Sequence, residues 1–269
     1  MARRTAHPVR QRRRIAGDDR SAHRRAARGG EIVSGSGLAG DGTQAAEPGT
    51  WHEGEEEAKM KIAVIGVGNV GSVLGKAWAA KGHEVLYGAR DPKSQKAQAA
   101  VKNSGANARA DTAKNAAESA EVIVLAVPFG EAEKVVRELG SLKGKVLLDV
   151  TNPLTADFSG LSVGHTDSAG EKVARAAKDA RVVKVFNSTG AGNMANPIYK
   201  GSPLTMAYAG DDAEAKKVVA KLVADVGFEP LDAGPLKNAR LLEPLAMLWI
   251  YLVYGAGLGP DVAFTLVKR

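Results

Sequence analysis

Lys61-Ile62-Ala63-Val64-Ile65-Gly66-Val67-Gly68-Asn69-Val70-Gly71 decides how the rest of the chain is read. Its first five residues form a short, mostly apolar run rich in β-branched side chains, as a buried parallel strand does. Ser72–Ala80 then reads as an amphipathic helix. In such a strand–turn–helix setting the glycines have separate tasks. Gly66 permits the tight turn, Gly68 lets backbone approach a pyrophosphate, and Gly71 lets the helix pack close against the strand. The pyrophosphate then rests on free N–H groups at the positive end of the helix. G-x-G-x-x-G alone is a weak signal. Its position between strand and helix, with a second strand following Gly82 at His83–Gly88, makes the segment a dinucleotide site.

The second strand runs into Gly88-Ala89-Arg90-Asp91-Pro92-Lys93. NAD sites place an acid there for the ribose hydroxyls, whereas an arginine accommodates a 2′-phosphate. Arg90 supplies that charge-assisted fork and Lys93 adds charge, which favours NADP. Asp91, slightly out of register, keeps the ribose-acid alternative open.

The pattern then repeats. Strands are expected at Glu121–Val127, Lys145–Val150 and Arg181–Phe186, with helices at Lys93–Asn103, Phe129–Leu139 and Ser168–Lys178. Leu204–Ala209 and Phe228–Leu231 extend the sheet. The fold class is therefore α/β, a Rossmann-type doubly wound parallel sheet with a short C-terminal helical part. Ligands lie beyond the carboxyl ends of such strands, where the turns Pro128-Phe129, Thr151-Asn152-Pro153 and Asn187-Ser188-Thr189-Gly190 fall.

Composition narrows the chemistry. Of 269 residues 44% are apolar and none is cysteine, which excludes disulfides, thiolate metal sites and cysteine nucleophiles. No His/carboxylate cluster has ligand spacing, so no metal is expected. The formal net charge is +7. Ten arginines and one lysine fall in residues 1–59, which lack periodic apolar residues and cannot build a core. We read them as a disordered extension ahead of a native start at Met60. They are the only support for a nucleic-acid partner, and no aromatics interleave their arginines, so none is expected. Residues 60–155 read as the dinucleotide-binding core. Residues 156–269 read as sheet completion and a helical acceptor or dimer region.

An alcohol or hydroxy-acid dehydrogenase needs a proton donor beside the hydride path. Beyond residue 59 only His83 and His165 are available. His83 opens a strand, which suits packing, and His165 sits in a polar loop over the site; Lys184 is mid-strand and structural by default. No catalytic acid or base is assigned. Hydride transfer between two ring cofactors needs alignment more than proton transfer, so a flavin-like acceptor is favoured. The apolar run Leu245–Leu258 is too short for a membrane span of about 18–20 residues. It reads as a buried helix at a core or dimer interface, or as a wall for a planar ring through Met247, Trp249 or Tyr251.

Met60–Arg269 resembles the coenzyme F420-dependent NADP oxidoreductase family, bacterial type, with a more distant likeness to the NADPH domain of metalloreductases. The resemblance rests on GlyValGlyAsnValGly, GlyAlaArgAspPro, ThrAsnPro and LysValPheAsnSerThrGlyAla. Its most selective stretch is AspAlaGlyProLeuLysAsnAlaArgLeuLeuGluProLeuAlaMetLeuTrpIle at 232–250. It implies NADP(H) binding, hydride exchange with coenzyme F420 or a similar flavin-like molecule, a small-molecule acceptor, a homodimer and a cytoplasmic location. Carried over residue by residue, Gly66, Val67, Gly68, Asn69, Val70, Gly71 and Arg90 hold NADP. Val127, Pro128 and Phe129 flank its ribose and nicotinamide side, Asn152 and Pro153 contact the cofactor where it borders the acceptor pocket, and Asn187, Ser188 and Thr189 border that pocket; Trp249 of the apolar run joins them as an acceptor-side residue. Archaeal members carry Thr, Ser and His where Val67, Ala89 and Asn187 stand here. The alternatives are a dehydrogenase or imine reductase related to pyrroline-5-carboxylate reductase, and a non-catalytic NADP(H)-binding redox sensor.

Overall fold

The run from Lys61 is the strand on which the others are laid. The computed structural model describes residues 59–269, so the reading of residues 1–59 lies, Lys59 apart, outside the described residues. In chain order the elements begin β1 (Lys61–Ile65), α1 (Asn69–Ala80), β2 (Glu84–Ala89), α2 (Gln95–Ser104), β3 (Ala108–Thr112), α3 (Ala113–Ser119) and β4 (Val122–Leu125). Next come α4 (Phe129–Glu138), β5 (Val146–Asp149), α5 (Ala169–Ala176), β6 (Arg181–Lys184), α6 (Ala191–Ala195) and a small hairpin, β7 (Ile198–Tyr199) with β8 (Ser202–Pro203). Then follow β9 (Thr205–Gly210), α7 (Ala213–Val226), β10 (Glu229–Asp232) and α8 (Ala239–Ile250), continued by a π-helical turn over Tyr251–Gly255.

One eight-stranded sheet runs in the order β10-β9-β6-β5-β4-β1-β2-β3. It is parallel except where β9 meets β6 antiparallel, Lys184 opposite Ala209. That reversal was not expected from sequence. A parallel return needs a crossover of a dozen or more residues, usually a helix. Here the link is long enough but holds no helix able to span the sheet, only five-residue α6 and the hairpin, and the chain re-enters beside β6 in the opposite sense.

The sheet is covered on both faces. Leu74 and Trp78 of α1 pack with Val219 and Leu222 of α7 on one side. Ala116, Ala132, Val136 and Val173 of α3, α4 and α5 cover the other. Trp78 is fully buried and its Nε1 donates to the Leu222 carbonyl at 2.9 Å, locking α1 to α7. Burying such side chains stabilises the fold by roughly 1.5–3 kcal/mol each. Among the described residues no helix is long and apolar enough to cross a membrane.

His83 is a core residue. Its Nδ1 accepts the Met60 N–H at 3.0 Å and its Nε2 lies 2.9 Å from Asp225 Oδ2. Burial pushes the Asp225 carboxyl up, but the His83 hydrogen bond and the Lys221 charge outweigh it and hold its pKa below the ordinary value. A carboxylate with a depressed folded-state pKa stabilises the fold above its unfolded pKa, and that contribution is lost as pH falls through the folded value. Asp225→Asn should therefore lower stability at pH 7 by about 1–3 kcal/mol. In urea unfolding the gap to the wild type should close below about pH 4. A gap that stays constant from pH 7 to pH 3 would refute this role.

Candidate active site

The carboxyl ends of the parallel strands form a single row. Gly88, Ile65, Leu125, Asp149 and Lys184 lie side by side on β2, β1, β4, β5 and β6. Beyond the first three opens a cleft of about 650 Å3, lined by Gly66, Val67 and Gly68, by Ala89, Arg90 and Asp91, and by Val127 and Pro128.

Each glycine of the loop meets something different. Gly66 has φ +110°, and a Cβ there would lie 2.4 Å from the Ala126 carbonyl oxygen. A Cβ on Gly71 would lie 2.1 Å from the Gly66 carbonyl oxygen. A Cβ on Gly68 would meet no protein atom within 4 Å. The protein's own packing thus demands the first and third glycines, while the space over Gly68 is open. Gly68 is also the N-cap of α1 and offers no side chain to its first N–H groups; Ser94, Thr112, Ser168 and Asp212 cap other helices here. A phosphate accepts from such N–H groups and is favoured by the helix dipole.

Arg90 is exposed on the cleft wall, and among the described residues its side chain has no hydrogen bond or ion pair. Asp91 is occupied with the turn: its Oδ1 accepts the Lys93 N–H at 2.9 Å, and its carbonyl accepts the Ser94 N–H at 3.1 Å. Lys93 does not line the cleft. Lys96, in the first turn of α2, does.

The row changes character at β5. Lys184 is fully buried, with Nζ 3.0 Å from Asp149 Oδ2 and 3.1 Å from Glu243 Oε1 of α8, and donating also to the Thr151 carbonyl. Glu243 in turn accepts the Ala169 and Gly170 N–H groups at the start of α5, at 3.0 and 3.1 Å. Burial raises the Glu243 carboxyl pKa above its ordinary value despite the nearby Lys184 charge and those two donors. One step further out, Asn152 Nδ2 donates to the Asn187 carbonyl at 2.8 Å, and Asn187 Nδ2 to Asn152 Oδ1 at 3.1 Å and to the Leu242 carbonyl at 3.0 Å. Between Lys184 and Asn187, buried Phe186 has φ +55° and is wedged edge-on against Trp78 and Phe228. A left-handed aromatic is a strained backbone position, costing of order 1–3 kcal/mol.

Past that turn, Ser188 and Thr189 line a second cavity of about 220 Å3 with Leu245 of α8, Phe228 and the C-terminal residues Ala263–Leu266. Trp249 lines neither cavity. It is buried behind the loop, 2.6 Å from where a Cβ on Gly190 would stand, with Nε1 bonded to the Val262 carbonyl. His165 is exposed and lines neither cavity.

The model of NADP oxidoreductases, coenzyme F420-dependent, matches residues 61–153. Over 210 residues the chain is 33% identical to the F420-dependent NADP reductase of Methanothermobacter marburgensis, covering 72% of this chain and 92% of that one. The chain belongs to the F420-dependent NADP oxidoreductase family. Metalloreductase STEAP3 of Rattus norvegicus is 30% identical over 193 residues; these make up 70% of this chain and only 37% of that longer protein. A crystal structure of a candidate F420-dependent NADP-reductase from Arthrobacter sp. FB24 superposes with a TM-score of 0.71 at 31% identity, covering 78% of this chain and all of that one.

For this member of the F420-dependent oxidoreductases, the structure gathers Gly66, Val67, Gly68, Arg90, Val127 and Pro128 round one cleft. Asn69 lies in a shallower groove alongside α1, Val70 packs on the core, Gly71 is buried beneath the loop, and Phe129 packs on the α3–α5 layer. Asn152 and Asn187 form a pair, with Pro153 buried beside them. Sequence reasoning missed Lys96, whose place on the first turn of α2 follows once Ser94 is recognised as its cap, and the Asp149–Lys184–Glu243 cluster. The two glycines separate fold from binding. Gly68→Val should fold with a melting temperature near the wild type yet lose NADPH binding in a fluorescence titration. Gly71→Ala should destabilise the protein by about 1–3 kcal/mol. Tight binding by folded Gly68→Val would refute the assignment of that space.

Proposed function

We propose that this chain transfers a hydride between NADP(H) and coenzyme F420 or a closely similar flavin-like acceptor, as a cytoplasmic homodimer. The observation that carries this reading is the match along 210 residues to a protein named F420-dependent NADP reductase. It is joined to a cleft whose glycine loop leaves room over Gly68 and whose wall bears Arg90, without a partner among the described residues. Residues 60–155 supply the dinucleotide site and residues 156–269 the acceptor side.

In this reading the α1 N–H groups and Gly68 seat the pyrophosphate, and Arg90, seconded by Lys96, holds the 2′-phosphate. Val127 and Pro128 form the apolar flank. The bound nicotinamide supplies the hydride chemistry. Ser188, Thr189 and Leu245 form the acceptor wall, and alignment of two rings is the protein's main contribution. Among the described residues the cavity behind Ser188 has no ionisable side chain in its lining, which suits a transfer that needs no proton donor and does not favour the imine-reductase alternative.

Exposed Leu241, Leu248, Tyr251 and Tyr254, at 67, 47, 58 and 76%, are assigned to the dimer, because large apolar side chains left exposed along one helix and the turn that continues it mark an interface. Leu248→Glu/Tyr254→Lys should shift sedimentation velocity from dimer to monomer; a monomeric wild type would remove this part of the reading.

The decisive experiment follows NADPH oxidation with F420, and with FMN and ferric chelate in parallel. Fast turnover with F420 is expected. NADPH binding with no turnover by any acceptor would favour a redox sensor instead. Arg90→Ala should raise the KM for NADPH about 10–100-fold, the equivalent of losing one charge-assisted contact, and leave that for NADH nearly unchanged. Equal effects on the two cofactors would contradict the 2′-phosphate role.

A further inference from the structure

We infer that Lys184 is a positioning residue for the acceptor side of the site, acting through a closed circuit of hydrogen bonds that bolts α8 to the ends of β5 and β6. The circuit starts at Glu243 and passes through Lys184 Nζ to Asp149 and the Thr151 carbonyl. It continues from neighbouring Asn152 to Asn187 and returns to α8 at the Leu242 carbonyl, one residue from where it began. The inference rests on reading the Ser188–Thr189 cavity as the acceptor pocket.

Three observations carry it. The first is how fully its charged members are engaged: Lys184 Nζ donates to Asp149 and to the Thr151 carbonyl and pairs with Glu243, and the spare Asp149 oxygen accepts the Thr151 N–H at 3.0 Å, while Thr151 Oγ1 and Asn187 Oδ1 stay buried without a partner among the described residues. Glu243's further lone pairs meet the start of α5, where the helix dipole favours the excess negative charge. Gly170 makes the approach possible, since a Cβ there would lie 3.1 Å from the Ala239 Cβ and 3.5 Å from the Lys184 stem. A buried ion cluster is a poor source of net stability, because desolvation offsets its Coulomb energy. Its distinctive contribution is fixed geometry.

The second observation is what stands inside the circuit. Phe186, with φ +55°, lies between Lys184 and Asn187, both of them tied. Strained backbone persists only where its surroundings over-determine it. With Lys184 released, the strand end loses its anchor and Phe186 is free to return to negative φ, which swings Asn187, Ser188 and Thr189. The third observation is that α8 carries the opposite cavity wall at Leu245, and Trp249 presses on Gly190 at the far end of the same loop. The two walls of the pocket are therefore held in register by the circuit, whereas no residue of it lines the dinucleotide cleft.

The test compares Lys184→Met/Asp149→Asn, which removes a cation and an anion together, with Glu243→Gln and Glu243→Leu. In the double variant the KM for F420 should rise tenfold or more, the scale of a small misplacement of reacting groups, with the Kd for NADPH within twofold. Glu243→Gln, whose amide oxygen still accepts from Lys184, should keep most acceptor turnover, and Glu243→Leu should lose it. Hydrogen exchange supplies a readout independent of activity: amides of 187–190 should exchange faster while those of 66–71 stay unchanged. A folded double variant with unchanged F420 kinetics and unchanged exchange at 187–190 would overturn the inference, as would equal behaviour of Glu243→Gln and Glu243→Leu. If the double variant does not fold, the Glu243 pair decides. A wild type that binds NADPH but does not reduce F420 would overturn the reading of the reaction, leaving the exchange comparison to judge the circuit.

Discussion

Everything at the dinucleotide end depends on how closely three backbones meet at the start of α1. The Gly66 carbonyl lies where a Cβ of Gly71 would be, and the Ala126 carbonyl lies where a Cβ of Gly66 would be. No side chain larger than hydrogen lets the end of β1, the first turn of α1 and the end of β4 approach in this way. The contact presses the uncapped helix end directly over the strand end, and so determines where a phosphate can sit. It also lays α1 flat on the sheet: Gly75 admits the Tyr87 ring, and Trp78 reaches the Leu222 carbonyl on α7. The gap over Gly68 is a consequence, a space bounded by packed backbone that the protein itself does not fill.

Across the row of strand ends the strategy changes. At β2, β1 and β4 the residues of that row are Gly88, Ile65 and Leu125, and the cleft beyond them is lined by backbone of the loop and by Arg90 at the rim. At β5 and β6 they are Asp149 and Lys184, buried and tied to Glu243. The physical reason lies in the connections. The first half is built from regular crossovers, whose packing sets strand ends unaided. The second has the long link from β5 to α5 and an antiparallel return after β6, with irregular backbone to hold in place. Charged hydrogen bonds with fixed geometry do there what close helix–sheet packing does in the first half.

This division also governs what could be read in advance. β1, β2, β4, β5 and β6 were legible because parallel strands buried on both faces appear as unbroken apolar runs. The loop glycines were legible because their spacing follows from the geometry they permit. β3 and α3 escaped notice: Ala108–Ser119 is alanine-rich, and β3 is a half-exposed edge strand with little alternation. α7 carries its bounds in sequence as Asp212, whose side chain caps its start, and Gly227, which takes φ +102° past its last turn. The charged circuit was hidden for a different reason. Asp149, Lys184 and Glu243 lie on three separate elements, and only the strand register and the docking of α8 bring them together. Nor does the sequence distinguish a tryptophan facing a ligand from one behind a glycine, and Trp249 is the latter.

The same bookkeeping of polar groups bears on the chemistry. A reduction that must deliver a proton together with the hydride needs a side chain that changes protonation state beside the reacting atoms. Lys184 is fully buried among Asp149, the Thr151 carbonyl and Glu243, and it lines neither cavity. His83 spends both ring nitrogens on Met60 and Asp225 within the core, and His165 lies exposed outside both cavities. The second cavity offers the hydroxyls of Ser188, Thr189, Thr205 and Thr265 amid carbon. Hydroxyls and carbon orient a planar molecule well and titrate poorly. On the reading proposed above, such a wall matches an acceptor that takes a hydride at a ring carbon and exchanges its protons with solvent, and it matches a carbonyl or imine substrate badly.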